Sequence, residues 1–131
     1  MNVLIMTIKP EFVDKILTDE KQYEFRKSIF KERVERIYFY STYLVKKIVG
    51  YFEVDKTIHN SPEELWNSYS EVLRISKKDF FKYFKDHEKG YAIKINNLKV
   101  FNEFIEMKDF TAHQSFYYVE NSDYLMKLLL I

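Results

Sequence analysis

The stretch DEKQYEFRK combines six charged residues and two aromatic residues within nine positions. Tyr23 and Phe25 alternate with Glu24 and Arg26, as expected for a strand with one apolar face and one polar face. A carboxylate and a guanidinium two positions apart on a strand can pair. With Lys21 nearby, the pattern fits either an ordinary surface salt bridge or a polar site that surrounds a ligand.

The residues before this stretch predict a strand and a short helix. Residues 3–8 are apolar on both faces of a strand, apart from one threonine, so this strand is expected to be buried on both sides. Pro10 suits the first turn of a helix, and apolar residues then recur at helical spacing until about Thr18. The charged strand is therefore expected to follow directly after a helix.

The rest of the chain predicts more strands and two further helices. RIYFYST and KIVGYFEVDKTI are expected to pair as a hairpin, and YAIKINNL, FNEFIEMKDF and QSFYYV to form further strands or extended segments. Ser61 with Pro62, and Ser76 with Asp79, are typical of helix starts. Residues 122–131 fit a terminal helix or a strand. Together these elements predict a single α+β domain over residues 1–131, with a mixed, mostly antiparallel sheet of about six strands and helices beside it.

Composition argues against several classes of site. The chain has no Cys, and its two Gly residues, Gly50 and Gly90, are too far apart for a glycine-rich phosphate loop. His59, His87 and His113 are scattered without metal-ligand spacing. We therefore expect no cofactor and no metal. The formal net charge is +1, so any nucleic-acid site must depend on a local patch.

The two ends of the chain are read as parts of the fold. The apolar run in MNVLIMTIKPEF has no basic segment before it and no cleavage-site pattern after it, which favours a strand over a leader. YLMKLLLI is too short to span a bilayer. We expect a soluble, cytoplasmic protein without membrane contact.

Three segments, in order, resemble the ASCH family, whose domain is similar to the PUA fold of RNA-binding and RNA-modifying proteins. DEKQYEFR is similar to the family's GxKxxExR signature, RIYFYSTYLVKKIVGYFEV to its next two strands, and AHQSFYYV to its late segment. Asp19 stands where the family has glycine, a position that Asp can occupy at some cost. Ala112 and His113 replace the usual proline before the Gln-Ser pair, which changes that loop.

The resemblance implies a partly closed, PUA-like β-barrel with a cleft beside the first helix. Lys21, Glu24 and Arg26 would line its floor and hold RNA or a modified nucleobase, with Arg26 positioned by Glu24 to bind a phosphate or a base edge. Exposed tyrosines would stack an unpaired base. The other residues that the resemblance assigns to this site are Tyr40 or Tyr43, Ser41, Gln114 and Ser115.

Two alternatives to a binding module stay open. Some small ASCH proteins hydrolyse the amide of N4-acetylcytidine with a lysine, a threonine and a glutamate. Lys21 matches the lysine, but Glu24 stands where the threonine is required, so a binding function is favoured over this amidohydrolase. The other alternative is a protein-interaction or regulatory module, which the near-neutral charge and the many aromatic residues also suit.

Overall fold

The protein is described from a computed structural model. The structure describes residues 2–18, 22–31, 33–42, 46–73 and 75–106, and the backbone of residues 116–118. The elements in chain order are β1 (Val3–Ile8), α1 (Pro10–Leu17), β2 (Tyr23–Arg26), β3 (Arg36–Ser41), β4 (Lys47–Glu53), β5 (Thr57–Asn60), α2 (Pro62–Tyr69), a short 3₁₀ turn (Ser70–Val72), α3 (Lys77–Tyr83), β6 (Gly90–Lys94), β7 (Asn96–Glu106) and β8 (Phe116–Tyr118).

The strands form two sheets. The five-stranded sheet has the order β7-β4-β3-β1-β8, in which β1 and β3 are parallel and the other neighbours are antiparallel. The three-stranded sheet has the order β2-β6-β5 and is antiparallel. The fold is therefore α+β and mostly antiparallel, as the sequence predicts.

A shared apolar core joins the two sheets. One face of β1, β3 and β4 packs with Val13 and Ile16 of α1 and with Ile93 of β6. Residues on the opposite face of β1 and β3 form a second cluster with β7. The prediction that the first strand is buried on both faces is confirmed, because β1 lies inside its sheet with a packed cluster on each side.

The third cluster lies on the outer face of the three-stranded sheet. Tyr23 and Phe25 of β2 pack there against α2 and α3, with Phe80 at the centre. Both helices begin as predicted. Ser61 Oγ accepts a hydrogen bond from the Glu64 N–H at 3.2 Å, and Ser76 Oγ accepts one from the Asp79 N–H at 3.1 Å.

The strand count and the arrangement of strands differ from the expectation. The described ranges alone contain eight strands rather than about six. The segment KIVGYFEVDKTI is divided between β4 and β5, which lie in different sheets, because residues 54–56 leave the first sheet. Within the described ranges the strands form two sheets and no closed barrel, so the barrel is not confirmed. None of the helices in those ranges is long and apolar enough to cross a lipid bilayer.

Candidate functional site

A cleft of about 940 Å³ opens beside α1, at the outer edge of β2. This volume is near the upper end of the range typical of small-molecule sites, roughly 300–1,000 Å³. One wall is formed by α1 and the end of β1, and the other by α3 and the segment before it. The floor is formed by β2. The lining residues are Thr7, Ile8, Lys9, Glu11, Phe12, Lys15, Glu24, Phe25, Arg26, Thr42, Leu73, Ile75, Ser76, Asp79, Phe80, Lys82 and Tyr83.

Glu24 and Arg26 form an ion pair on the floor of this cleft. In β2 they alternate with Tyr23 and Phe25, as the sequence predicts, and the apolar pair faces the third cluster. Arg26 Nε lies 3.1 Å from Glu24 Oε1. Glu24 is 6% exposed, which is far less than an ordinary surface carboxylate.

Arg26 is held from a second direction. Its Nη2 donates a hydrogen bond of 2.9 Å to the backbone carbonyl of Thr7, at the end of β1. A guanidinium fixed by a carboxylate and a carbonyl loses less side-chain freedom when it binds a ligand than a mobile surface arginine does. The arrangement can present N–H groups to a phosphate or to the edge of a base.

The charges around the cleft are nearly balanced. Four cationic side chains and three acidic ones line it. Lys15 on α1 and Lys82 on α3 belong to opposite walls, and Lys15 Nζ lies 5.7 Å from the centre of the Phe12 ring. An anionic ligand is therefore attracted by particular cations rather than by a uniformly positive surface. Within the described ranges, no three His, Asp or Glu side chains lie close enough together to hold a metal ion.

Tyr83 is a cleft residue that sequence reasoning missed. Its hydroxyl donates to the backbone carbonyl of Phe25 at 3.3 Å, and Lys27 Nζ lies 4.6 Å from the centre of its ring. Burial of the hydroxyl raises the pKa of Tyr83, which Arg26 opposes and Glu24 reinforces. The sequence pattern that could have indicated Tyr83 is helical spacing, because Phe80 and Tyr83 are three residues apart and share one face of α3.

Tyr40 and Ser41 do not lie in this cleft. Tyr40 is 6% exposed and packs in the second cluster, and Ser41 is 1% exposed. The expectation that Tyr40 is an exposed stacking residue is wrong, because β3 is flanked by β1 and β4 and has a packed cluster on each face. The remaining predicted residues lie outside the described residues: Lys21, Tyr43, Gln114 and Ser115, together with Asp19 of the preceding turn.

Comparison with known proteins places the chain in a family. The family model described as a domain of unknown function, DUF365, matches residues 1–120. An ASCH domain-containing ribonuclease of Zymomonas mobilis is 28% identical over 89 residues, which are 67% of this chain and 60% of that relative. The chain therefore matches somewhat less than two thirds of the relative's length.

Two solved structures from the same organism show the same fold. The crystal structure of a tyrosine-to-phenylalanine variant of ZmASCH has a TM-score of 0.88 and 22% identity, covering 100% of this chain and 99% of that one. The crystal structure of ASCH from Zymomonas mobilis has a TM-score of 0.87 and 23% identity, covering 98% and 94%. The resemblance that the sequence predicts is confirmed: the chain belongs to the DUF365 family and has the fold of the ASCH domain.

Proposed function

We propose that the protein binds single-stranded RNA in the cleft beside α1. The observation that carries this proposal is the fixed guanidinium of Arg26 on the cleft floor, held by Glu24 and by the Thr7 carbonyl. Arginine is over-represented where proteins hold a phosphate through charge-assisted, bidentate hydrogen bonds. Lys9, which also lines the cleft, adds a further cation.

The apolar part of the cleft suits unpaired bases. Phe25 and the partly exposed Tyr83 line it, and aromatic side chains in RNA-binding proteins stack on bases that are exposed in single strands. A base in a duplex is already stacked and paired, so this wall favours single-stranded segments, loops or ends. The relative named as a ribonuclease supports RNA, rather than another anion, as the ligand.

Fluorescence anisotropy with a labelled, short single-stranded RNA tests this proposal. Arg26→Gln removes the charge and the guanidinium and leaves a shorter polar side chain, and we expect it to weaken binding by about tenfold or more, as charged hydrogen bonds generally predict. Arg33→Gln is the matched control, because Arg33 is exposed and does not line the cleft. Unchanged affinity of Arg26→Gln, or an equal loss in both variants, would contradict the site.

Cleavage of the bound RNA is a second candidate function, favoured by the name of the ribonuclease relative. In such a reaction the 2′-hydroxyl loses its proton to a general base and attacks the adjacent phosphorus. The bond from phosphorus to the 5′-oxygen breaks, a 2′,3′-cyclic phosphate forms, and the leaving 5′-oxygen takes a proton from water. Glu24 is the carboxylate nearest to Arg26 and is the candidate base. Gel analysis of RNA against the same strand with 2′-O-methyl groups tests this, since only the first can react. Intact RNA after prolonged incubation would contradict cleavage and leave RNA binding as the proposed function.

The amidohydrolase and interaction-module alternatives stay predictions. For the amidohydrolase, incubation with N4-acetylcytidine and chromatography for cytidine is the direct test. An interaction module requires a contiguous apolar surface patch. Val100 and Phe104 on β7 are 40% and 37% exposed, and they are the place to look for one.

A further inference from the structure

The edge of β2 that faces away from β6 is not covered by any other strand in the described ranges, and we call it the open edge of β2. The Ile95 N–H donates to the Gln22 carbonyl at 2.9 Å, which fixes the direction in which the backbone groups of Gln22, Glu24 and Arg26 point, namely toward β6. Backbone groups of alternate residues in an antiparallel strand point to opposite sides. Those of Tyr23 and Phe25 therefore point away from β6. Among the described strands, β2 is at the end of its sheet and pairs with β6 alone.

Tyr83 occupies one of the two outward backbone groups of Phe25 on this edge, the carbonyl. Its hydroxyl donates to the outward carbonyl of Phe25 at 3.3 Å, and a hydrogen bond with the Lys27 backbone lies beside it. The outward N–H of Phe25 belongs to the same edge, and Phe25 lines the cleft. A backbone donor therefore lies next to an aromatic side chain on the wall opposite α1.

The ring of Tyr83 has one side occupied and remains partly exposed. Lys27 Nζ lies 4.6 Å from the ring centre, and Phe84 meets the ring edge-on with centroids 4.8 Å apart. Tyr83 is nevertheless 37% exposed and lines the cleft. A flat ring with a fixed hydroxyl and an exposed portion toward a cleft is suited to stacking on a planar ligand.

We propose that Tyr83 and the open edge of β2 recognise one unpaired nucleobase, which stacks on the Tyr83 ring and accepts a hydrogen bond from the Phe25 N–H. This proposal rests on the proposed RNA-binding function. It adds a contact with a nucleobase, whereas Arg26 is proposed to contact a phosphate. It makes Tyr83 the residue that distinguishes RNA with a base at the bound position from a bare sugar-phosphate chain.

The test compares a short single-stranded RNA with the same strand carrying one abasic position, moved in turn along the strand. Wild-type protein is expected to bind the strand at least about fivefold more weakly when the abasic position coincides with the site, as loss of one stacked base predicts. Tyr83→Leu removes the ring and is expected to weaken binding of the complete strand by a similar factor. Because Tyr83→Leu already lacks the stacking contact and keeps only the Phe25 N–H, it is expected to distinguish the complete from the abasic strand less than wild type does.

Two more variants complete the comparison. Tyr83→Phe keeps the ring and is expected to stay within about twofold of wild type, because stacking does not need the hydroxyl. Phe104→Leu is the control for loss of an aromatic ring, because Phe104 is also 37% exposed and lies on β7, outside the cleft. Circular dichroism and a thermal melt of each variant verify that the fold is kept.

The outcomes separate this inference from the proposed function. If Arg26→Gln weakens RNA binding while Tyr83→Leu still discriminates the abasic strand as wild type does, RNA binding stands and the base-recognising role of Tyr83 is overturned. If Tyr83→Leu and Phe104→Leu weaken binding equally, that role is overturned as well. If neither Arg26→Gln nor Tyr83→Leu changes the affinity for RNA, both proposals fail.

Discussion

The guanidinium of Arg26 donates a hydrogen bond of 2.9 Å to the backbone carbonyl of Thr7 and thereby joins the two sheets. Arg26 ends β2 in the three-stranded sheet, and Thr7 lies in β1 of the five-stranded sheet. The same guanidinium contacts Glu24. A residue proposed to bind a ligand is thus also part of the framework, so stability and binding must be measured separately for every variant of this pair.

Replacing Glu24 with Gln is expected to destabilise the fold by about 2 kcal/mol, because a partly buried guanidinium loses its charged partner. The side chains of Glu24 and Arg26 are 8% and 13% exposed, so water compensates for the loss only in part. Urea unfolding followed by circular dichroism measures the change. Glu88→Gln is the control, since Glu88 is an exposed carboxylate in the turn before β6. A loss no larger than that of the control would show that the ion pair contributes little.

Local patterns were sufficient to predict much of the secondary structure. The serine caps of α2 and α3 depend on residues three positions apart, and both are found as expected. The assignment of Glu24 and Arg26 to one face of β2 likewise follows from alternation within one strand. Contacts between residues distant in sequence could not be predicted in this way. Tyr83 reaches the carbonyl of Phe25 across 58 positions, and no local pattern indicates that contact.

Tyr40 shows where a family resemblance misleads. The resemblance suggests an exposed tyrosine for stacking, but β3 lies between two other strands and both of its faces are covered. Whether a strand is central or at an edge depends on the topology, which the sequence of that strand does not contain. The same limitation applies to the predicted barrel, which is not confirmed. One predicted strand is divided between β4 and β5, and these two strands lie in different sheets.

Gly90→Ala is expected to destabilise the protein by about 1–3 kcal/mol through overpacking. A Cβ at this position would lie 2.6 Å from one ring carbon of Phe84 and 3.0 Å from Leu65 Cδ1. Phe84 and Leu65 are both buried in the third cluster, so they have little room to move away. Chemical denaturation measures the loss, with Lys89→Ala, at an exposed neighbouring position, as the control. Wild-type stability of Gly90→Ala would show that the cluster repacks readily.

The stability of the protein is expected to fall at alkaline pH, in part through Tyr83. Burial raises its pKa above the ordinary value of 10.0, so the folded state keeps the phenol proton at a pH where the unfolded chain has begun to lose it. This contribution is complete below pH 10.0 and is lost as the pH rises through the folded-state pKa. Tyr38, whose pKa burial also raises, acts in the same direction.

Unfolding free energies of wild type, Tyr83→Phe and Tyr38→Phe across the alkaline range test this pH dependence. Each variant lacks one titrating phenol and is expected to show a shallower decline than wild type. Absorbance of the tyrosinate provides an independent titration. Curves for wild type and Tyr83→Phe that stay parallel through the alkaline range would contradict a raised pKa at that position.

The salt dependence of RNA affinity is expected to report the number of phosphate contacts, because each contact releases counterions from the nucleic acid. For a single strand, the slope of log affinity against log salt changes by about 0.7 for each phosphate neutralised. Arg26→Gln is therefore expected to make the slope shallower by about 0.7, while Arg33→Gln leaves it unchanged. Anisotropy titrations over a series of KCl concentrations measure both slopes. A uniform loss of affinity with the wild-type slope would mean that Arg26 supports the cleft without contacting a phosphate.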